Sequence, residues 1–222
     1  MKTDGNAMLR VVEQFLSLQG ESTHAGRLCY FIRLAGCNLR CSYCDTLYAH
    51  SFDCGEQIPL AEIVQRAVAS KSPLVEITGG EPLATPETPA LCQALLNAGL
   101  EVLIETNGSL PIAQLPRAVR KILDCKTPSS GMSCYNLYDN YPLLLPHDEV
   151  KFVICNREDY LFACDIIKKY QLQTKTRNLL FSPGWETVNL ETLAGWMIED
   201  KTPARLQLQM HKIIWGADKI GV

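Results

Sequence analysis

Hydrophobic positions along the chain switch repeatedly between the period of a strand and the period of a helix. Short apolar runs bounded by turn residues predict buried strands. Such runs cover residues 29–34, 73–78, 101–106, 121–125, 150–155 and 178–182, and a run of strict alternation covers 205–210. In this last run Leu206, Leu208 and Met210 share one face, so its polar residues form the other face of the predicted strand.

Four segments between these strands carry apolar residues at the spacing of a helical face. Each begins at a residue that favours a helix N-terminus, namely Pro59, Thr88, Asn156 and Asn189. Gly99 is the predicted end of the second helix. Alternating strands and helices predict a parallel sheet, and six or seven strands are fewer than the eight of a closed barrel. The predicted fold is therefore α/β, a partial (open) TIM-like barrel with mainly parallel strands.

Composition and charge narrow the class of protein. The 222 residues, 47% apolar and 20% charged, are expected to form one domain, 1–222, with an irregular insertion at about 126–149. The net charge of −3 and the lack of a basic stripe argue against a nucleic-acid or anionic-membrane partner. No run approaches the ~20 apolar residues that span a bilayer, and no secretory signal pattern is present. We therefore expect a cytoplasmic location.

Three of the ten cysteines crowd into a C-x3-C-x2-C segment formed by Cys37, Cys41 and Cys44. Three thiolates on so short a loop can converge on one metal centre. A four-iron cluster held by three cysteines keeps one iron open for a chelating amino-acid group, whereas structural zinc needs a fourth ligand. Candidates for that fourth ligand are Cys54, His24 and His50.

Three features resemble the radical S-adenosylmethionine superfamily: the cysteine spacing, the aromatic Tyr43 before the third cysteine, and Gly79-Gly80-Glu81-Pro82 after a predicted strand. The resemblance implies a 4Fe-4S cluster on the three cysteines, with S-adenosylmethionine at the open iron. In that superfamily, one-electron reduction of the cofactor produces a radical that removes a hydrogen atom from the substrate. The cofactor-binding residues that the resemblance implies are Tyr43, Gly79, Gly80, Glu81, Thr106, Lys126, Ser129 and Ser130.

Further segments resemble one family of that superfamily, the 7-carboxy-7-deazaguanine synthases of queuosine and 7-deazapurine biosynthesis. These segments are residues 15–22, 31–37, 44–46, 78–82, 105–108, 124–131 and 211–216. The family converts 6-carboxy-5,6,7,8-tetrahydropterin to 7-carboxy-7-deazaguanine by ring contraction with loss of ammonia, and Mg²⁺ takes part. Ser22 departs from the family pattern, which commonly has glycine there.

The resemblance assigns roles that suit the chemistry of a carboxylated pterin. Arg33 can grip the carboxylate through paired charge-assisted hydrogen bonds, and Glu21 can accept from the ring N–H and amino groups, so these two are the predicted catalytic residues. Thr46 is the predicted magnesium ligand, since Mg²⁺ prefers oxygen. The predicted substrate-binding residues are Leu18, Gln19, Gly20, Glu21, Arg33, Thr78, His211 and Val222.

Two other functions are compatible with the cysteine segment. One is a different radical enzyme, such as a glycyl-radical activase, which would share the cluster but act on a protein. The other is a non-catalytic zinc or iron–sulfur module. The family resemblance further implies a flavodoxin or ferredoxin as reductant and a homodimer, with neither nucleic acid nor membrane among the partners.

Overall fold

The structure of the protein, a computed structural model, describes residues 7–222. Within these residues, nine strands form one sheet. They are β1 (Met8–Leu18), β2 (Leu28–Leu34), β3 (Glu56–Pro59), β4 (Leu74–Gly79), β5 (Glu101–Thr106), β6 (Arg120–Asp124), β7 (Glu149–Ile154), β8 (Asn178–Pro183) and β9 (Arg205–Leu206). The helices are α1 (Leu60–Ala69), α2 (Thr88–Asn97), α3 (Arg157–Lys169), α4 (Leu190–Glu199) and α5 (Met210–Trp215). None of the helices in residues 7–222 has both the length and the apolar character needed to cross a membrane.

The sheet is mainly parallel, as the sequence predicts, with two antiparallel pairings near one edge. Its strand order is β3-β1-β2-β4-β5-β6-β7-β8-β9. Strand β1 pairs antiparallel with both β2 and β3, whereas every pair from β2 to β9 is parallel. From β4 onward the spatial order follows the chain order, which gives the predicted open barrel.

Neither β1 nor β3 is predicted from the pattern of apolar residues. In β1 the register with β2 shifts between Val11 and Glu13, so the alternation that buries Leu9 and Val11 changes phase afterwards. A strand whose alternation changes phase does not match a strand template of period two. Strand β3 has four residues, which is too short for a periodic signal.

Most predicted element boundaries are confirmed to within one or two residues. Asn156 and Asn189 cap α3 and α4, and their side chains accept hydrogen bonds from the N–H groups of Asp159 and Thr192. The expected N-cap of α2 is wrong by one position. Thr88 is already helical, and its hydroxyl donates to the carbonyl of Pro82 at 2.5 Å. The insertion consists of 3₁₀ turns at Pro128–Ser130, Ser133–Tyr135 and Tyr138–Leu143.

The strand predicted over 205–210 is wrong for most of its length, because only its first two residues pair and Met210 already begins α5. The two glutamines of this run, Gln207 and Gln209, are turned inward, whereas Arg205 is exposed. Gln207 is 7% exposed, whereas Leu206 and Leu208 are 40% and 37% exposed. The alternation therefore marks a polar wall instead of a strand with an apolar buried face.

Alternation along the parallel strands separates two faces of the sheet. The outer face packs its apolar residues against α1 to α4 and forms the main core. On the inner face, a smaller apolar cluster fills the bottom of the barrel and consists of Cys29, Phe31, Leu74, Leu103 and Ile122. Above this cluster the inward positions become charged. We call Glu76, Glu105, Asp124 and Lys151 the charged layer.

Candidate active site

A cavity of about 690 Å³ opens at the carboxyl ends of the parallel strands, above the charged layer. In a barrel-like parallel sheet, this is the end at which loops assemble an active site. The structure brings most of the predicted site residues to its wall: Leu18, Gln19, Gly20, Glu21, Arg33, Cys37, Cys41, Tyr43, Cys44, Thr46, Thr78, Gly79, Gly80, Thr106, Lys126, His211 and Val222. Three predicted residues, Glu81, Ser129 and Ser130, do not line it.

The cysteine loop that follows β2 folds back on itself at the cavity. Gly36 has a φ of +89°, and its N–H donates to the carbonyl of Ala49 at 2.8 Å. The guanidinium of Arg40 crosses the loop and donates to the carbonyl oxygens of Cys37 and Leu39, both at 2.7 Å. These bonds fix the backbone of the loop and leave the sulfur atoms of the three cysteines at the cavity wall.

The three sulfur atoms suit a cluster better than a single ion. Within residues 7–222, no three His, Cys, Asp or Glu side chains are grouped so that they could hold one metal ion. A cubic cluster binds each cysteine at a different iron, so its ligands are spread around it. Burial raises the pKa of the Cys41 and Cys44 thiols. A metal, which needs thiolates, would therefore release protons on binding there.

The Gly79-Gly80 segment packs against the start of the cysteine loop. The N–H of Gly80 donates to the carbonyl of Leu34 at 3.2 Å. Gly80 has no room for a side chain, because an ideal Cβ would lie 2.8 Å from the Cβ of Cys37. Both glycines therefore place bare backbone at the cavity, as expected for a segment that a cofactor approaches closely.

The side chain of Glu81, which is predicted to contact the cofactor, is turned away from the cavity. The carboxylate is fully buried. It accepts hydrogen bonds from the N–H of Leu83 at 2.9 Å, the hydroxyl of Thr106 at 2.8 Å and the N–H of Asn107 at 2.7 Å. Burial raises its pKa. Glu81 therefore ties the end of β4 to the end of β5.

Ser129 and Ser130, which are also predicted to bind the cofactor, do not line the cavity, and their hydroxyls have partners within the fold. The hydroxyl of Ser130 donates to the carbonyl of Thr127 at 2.6 Å, and that of Ser129 accepts from Asn156 at 2.9 Å. Their carbonyl oxygens accept from Ser42, at 2.6 Å from its hydroxyl and 3.1 Å from its N–H. The two serines thus brace the cysteine loop from behind.

Lys151 is the centre of the charged layer. Its Nζ contacts the carboxylate of Glu105 and lies 3.1 Å from Oε2 of Glu21 and 4.0 Å from Oδ2 of Asp124. Asp124 has its own partner, since Oδ2 lies 2.7 Å from Nζ of Lys126. Burial opposes the charge of Lys151, but Glu105, Glu21 and Asp124 outweigh it and hold the pKa of Lys151 well above its usual range. The ammonium is therefore a permanent cation below the cavity.

Glu21 receives hydrogen bonds on both carboxylate oxygens. Lys151 and Gln207 donate to Oε2 at 3.1 and 3.4 Å, and Gln209 donates to Oε1 at 3.0 Å. Burial raises the pKa of Glu21, but Lys151 and Gln209, together with His211, lower it by more. Glu21 is therefore an ionised acceptor at the cavity wall.

Gln19 connects the same loop to the floor of the barrel. Its Nε2 donates to the carboxyl of Glu76, and its Oε1 accepts from the N–H of Glu21 at 2.7 Å. Burial, and after it the negative charges of Glu105 and Glu21, raise the pKa of Glu76 well above its usual value. Glu76 thus retains its proton at a pH at which an exposed glutamate has lost it.

Sequence reasoning missed Glu76 and Lys151 as parts of the site. Each is a charged residue inside an otherwise apolar strand, in LVEIT and in VKFVI. Buried charges occur where they face other charges or polar groups. A lone charge at an inward position of a buried strand was therefore a signal that could have found them.

Arg33, near the end of β2, already has one carboxylate partner. Its Nε donates to Oε1 of Glu13 at 2.6 Å, and the hydroxyl of Tyr48 donates to the same oxygen at 2.9 Å. The ring of Tyr48 lies 5.8 Å from the guanidinium carbon. Glu13 engages only Nε, and Arg33 lines the cavity.

Two further oxygen atoms bear on a bound cofactor or metal. Among residues 7–222, the buried Oδ1 of Asp124 has no hydrogen-bond partner. A buried carboxylate oxygen at a cavity wall calls for a donor, such as an ammonium or hydroxyl group of a ligand. The hydroxyl of Thr46 donates to Oδ1 of Asp45 at 3.1 Å, so its lone pairs are free to accept or to bind a cation.

Lys212 of α5, for which the sequence predicts no role, also lines the cavity. Its Nζ lies 2.8 Å from Oδ2 of Asp45 and 5.7 Å from the ring centre of Trp185. It thereby ties α5 to the cysteine loop and places the neighbouring His211 against Gly20, where a Cβ would collide with the His211 ring.

Comparisons with known proteins agree with this arrangement. Residues 31–196 match the Radical SAM superfamily. The chain is 40% identical to the 7-carboxy-7-deazaguanine synthase of Koribacter versatilis (strain Ellin345), over 96% of this chain and 100% of that protein. It is 41% identical to the 7-carboxy-7-deazaguanine synthase of Chlorobaculum tepidum, over 97% and 98% of the two chains. The crystal structure of QueE from Escherichia coli shares the fold, with a TM-score of 0.74 at 20% identity over 92% of this chain and 95% of that chain.

Proposed function

Because the chain belongs to the radical SAM superfamily and, within it, to the 7-carboxy-7-deazaguanine synthases, we propose that it converts 6-carboxy-5,6,7,8-tetrahydropterin to 7-carboxy-7-deazaguanine. The reaction contracts a ring and releases ammonia. The product is a precursor of queuosine and other 7-deazapurines. The names of the two relatives favour this activity over a glycyl-radical activase or a non-catalytic metal module.

One observation carries the proposal: the cluster cysteines and the predicted pterin-binding side chains line the same cavity. Its volume of about 690 Å³ lies within the usual range of small-molecule sites. Cys37, Cys41 and Cys44 lie in its wall together with Glu21 and Arg33. A cofactor held at the cysteines and a pterin held by the two charged side chains would therefore be neighbours.

The residues fit the cofactors that the family implies. Cys37, Cys41 and Cys44 would hold the 4Fe-4S cluster. Together with S-adenosylmethionine, the cluster supplies when bound the one-electron chemistry that removes a hydrogen atom from the substrate. Next to the cluster site, Gly79 and Gly80 would allow S-adenosylmethionine to approach the backbone closely. The unpartnered oxygen of Asp124 would accept from the ammonium or hydroxyl groups of that cofactor. Tyr43, Thr106 and Lys126 complete this part of the wall.

Recognition of the pterin would divide between its two polar ends. Arg33 retains its terminal nitrogens for the carboxylate, because Glu13 engages only Nε. Glu21, ionised and fixed by three donors, would accept from the N–H and amino groups of the opposite edge. The hydroxyl of Thr46 would bind Mg²⁺ next to the substrate carboxylate. Leu18, Gln19, Gly20, Thr78, His211 and Val222 would complete the pocket.

Two partners belong to the same proposal. A flavodoxin or ferredoxin would reduce the cluster, as is usual in the superfamily. A second copy of the chain would form a homodimer. The exposed apolar side chains of α5 support this, since Ile213 is 62% and Ile214 is 49% exposed.

Anaerobic turnover tests the proposed reaction. The chain, reconstituted with iron and sulfide, is incubated with the carboxypterin, S-adenosylmethionine, Mg²⁺ and a reductant, and mass spectrometry detects the product. We expect 7-carboxy-7-deazaguanine and ammonia. Cleavage of S-adenosylmethionine without deazapurine would contradict the substrate assignment. Zinc without iron in the reconstituted protein would contradict the radical chemistry altogether.

Cysteine variants test the cluster site. Cys37→Ala, Cys41→Ala and Cys44→Ala should each lose most of the iron and all turnover, because each removes one of the three thiolates that would hold the cluster. Cys54→Ala is the matched control, since Cys54 lies outside the cavity wall and donates to the carbonyl of Ser51. Iron content and turnover retained in the Cys37, Cys41 and Cys44 variants would contradict the assignment.

A further inference from the structure

Lys151 is a buried cation at the floor of the cavity. It projects from β7, and its residue is 6% exposed. A buried ammonium is costly unless it is paired and hydrogen-bonded. Its partners come from two other parts of the fold, Glu105 in β5 and Glu21 in the loop after β1. Lys151 therefore connects the rigid sheet to the loop that forms the pterin-binding wall.

Two carboxylates share this cation. Asp124 is the neighbour of Lys151 in the parallel register, yet its oxygen is 4.0 Å from Nζ and only 2.7 Å from Nζ of Lys126. Lys126 thus neutralises Asp124. The charge of Lys151 is left for Glu105 and Glu21.

Glu21 depends on Lys151 for the only charged donor that it has among residues 7–222. Its other donors, Gln207 and Gln209, are neutral amides at 3.4 and 3.0 Å. Hydrogen bonds from charged donors are about twice as strong as neutral ones. With the ammonium removed, the negative charge of Glu105 would repel Glu21, and the loop would lose its charged attachment to the floor.

We propose that Lys151 is a positioning residue that holds the Glu21 carboxylate at the cavity wall, facing a ligand edge rich in N–H groups. The inference rests on the proposed function and deepens it. The edge that such a carboxylate recognises is the amide-and-amine side of a pterin, which offers adjacent donors. Lys151 does not contact the ligand and acts through Glu21.

The test compares variants of the reconstituted holoenzyme in steady-state turnover. Lys151→Met removes the ammonium but keeps most of the side-chain volume. Its KM for the carboxypterin should rise about 30-fold, the loss expected for one charge-assisted hydrogen bond in a buried site. The KM for S-adenosylmethionine should change less than about threefold, because Asp124, which faces the cofactor, is paired with Lys126 at 2.7 Å and lies 4.0 Å from Lys151. Glu21→Gln should raise the KM for the carboxypterin by a similar factor.

Lys121→Met is the matched control, because Lys121 is also a buried lysine in a neighbouring strand. It pairs with Asp148 at 3.1 Å and does not line the cavity. This variant should lower the melting temperature as Lys151→Met does, but leave both KM values within about threefold of wild type. An equal rise in the KM for the carboxypterin in Lys121→Met would overturn the proposal, since loss of stability alone would then explain the effect.

A double variant decides whether Lys151 acts through Glu21. Glu21→Gln with Lys151→Met should have a KM within about threefold of Glu21→Gln alone, whereas a product of the two single effects would overturn the proposal.

If Lys151→Met does not fold, Lys151→Arg keeps the charge but displaces Glu21. It should raise only the carboxypterin KM by at least about fivefold, and unchanged or equally raised KM values overturn the proposal. Absence of deazapurine with the wild-type enzyme contradicts the proposed function instead, so the two failures are distinguishable.

Discussion

Replacement of Gly80 by alanine isolates the packing of one strand end against the cluster-binding loop. An ideal Cβ at this position would lie 2.5 Å from the carbonyl carbon of Gly36 and 2.8 Å from the Cβ of Cys37, and closer still to the Gly36 oxygen. Ordinary van der Waals contact begins at 3.4 Å, so the Gly36 oxygen, the closest atom, would have to move by more than 1 Å. Gly80 has no positive φ, and the effect is therefore steric and not conformational.

The expected cost of Gly80→Ala is about 3 kcal/mol, at the upper end for overpacking, because backbone atoms on both sides resist the shift. For a chain of this length, that corresponds to a fall in Tm of about 6–12 °C. The displaced loop carries Cys37, so reconstituted iron should fall as well. Thermal unfolding by circular dichroism measures the first effect, and iron and sulfide analysis after anaerobic reconstitution measures the second.

Gly195→Ala provides the control for Gly80→Ala. Gly195 lies within α4, and a Cβ there meets no atom within 4 Å. The same chemical change should therefore raise stability by about 0.5–1 kcal/mol, through helix propensity alone. If Gly80→Ala unfolds at the wild-type temperature and binds a full complement of iron, the close packing of this segment against the cysteine loop is refuted.

Two further predictions concern stability. Lys71 follows the C-cap of α1 with a φ of +60°, so Lys71→Gly should raise Tm by about 2–4 °C in thermal unfolding. Gly99 has a φ of +83° and no neighbour for a Cβ, so Gly99→Ala should lower Tm through backbone strain alone. Tm changes of the same sign in the two variants would contradict the backbone argument. Glu76 has a folded-state pKa raised above the ordinary 4.5, so the folded state holds a proton that the unfolded state releases, and stability should fall as pH rises from 4.5 through the raised value. Glu76→Gln should make this decline shallower in urea unfolding series, and an unchanged slope would refute the assignment of the proton to Glu76.

The outer half of the fold was predictable because its signal is local. Strands β4 and β5 and helix α1 each bury a periodic apolar set, and that set is visible in a short window of sequence. Strand β1 was not predictable in the same way, because the shift after Val11 breaks its alternation. The run from Arg205 onward misled for the opposite reason: its alternation is regular, but Gln207 faces inward while Leu206 and Leu208 are exposed.

The sequence predicts which segments reach the site, because a motif at a strand end places its residues near the cavity. The cysteines and the glycines of Gly79-Gly80 reach the cavity because each segment follows the carboxyl end of a parallel strand. A motif does not give the direction of a side chain, however. Glu81, inside the motif, turns into the protein and caps two backbone N–H groups. Lys151, outside any motif, points to the cavity, and its partners come from loops and strands distant in sequence.

The contrast between two buried lysines separates a structural ion pair from a functional one. Asp148, the partner of Lys121, also accepts from the backbone N–H groups of Lys121 and Leu145 at 3.0 and 2.8 Å, so both of its oxygens are used by the fold. Glu21, the partner of Lys151, is instead bonded by side chains only and lies in a cavity wall. A buried ion pair is weak evidence for stability, because apolar residues of similar volume often serve as well. The pair of Lys121 and Asp148 is explained by the backbone that it organises, whereas the pair of Lys151 and Glu21 leaves carboxylate lone pairs at a cavity and is explained by a ligand that donates to them.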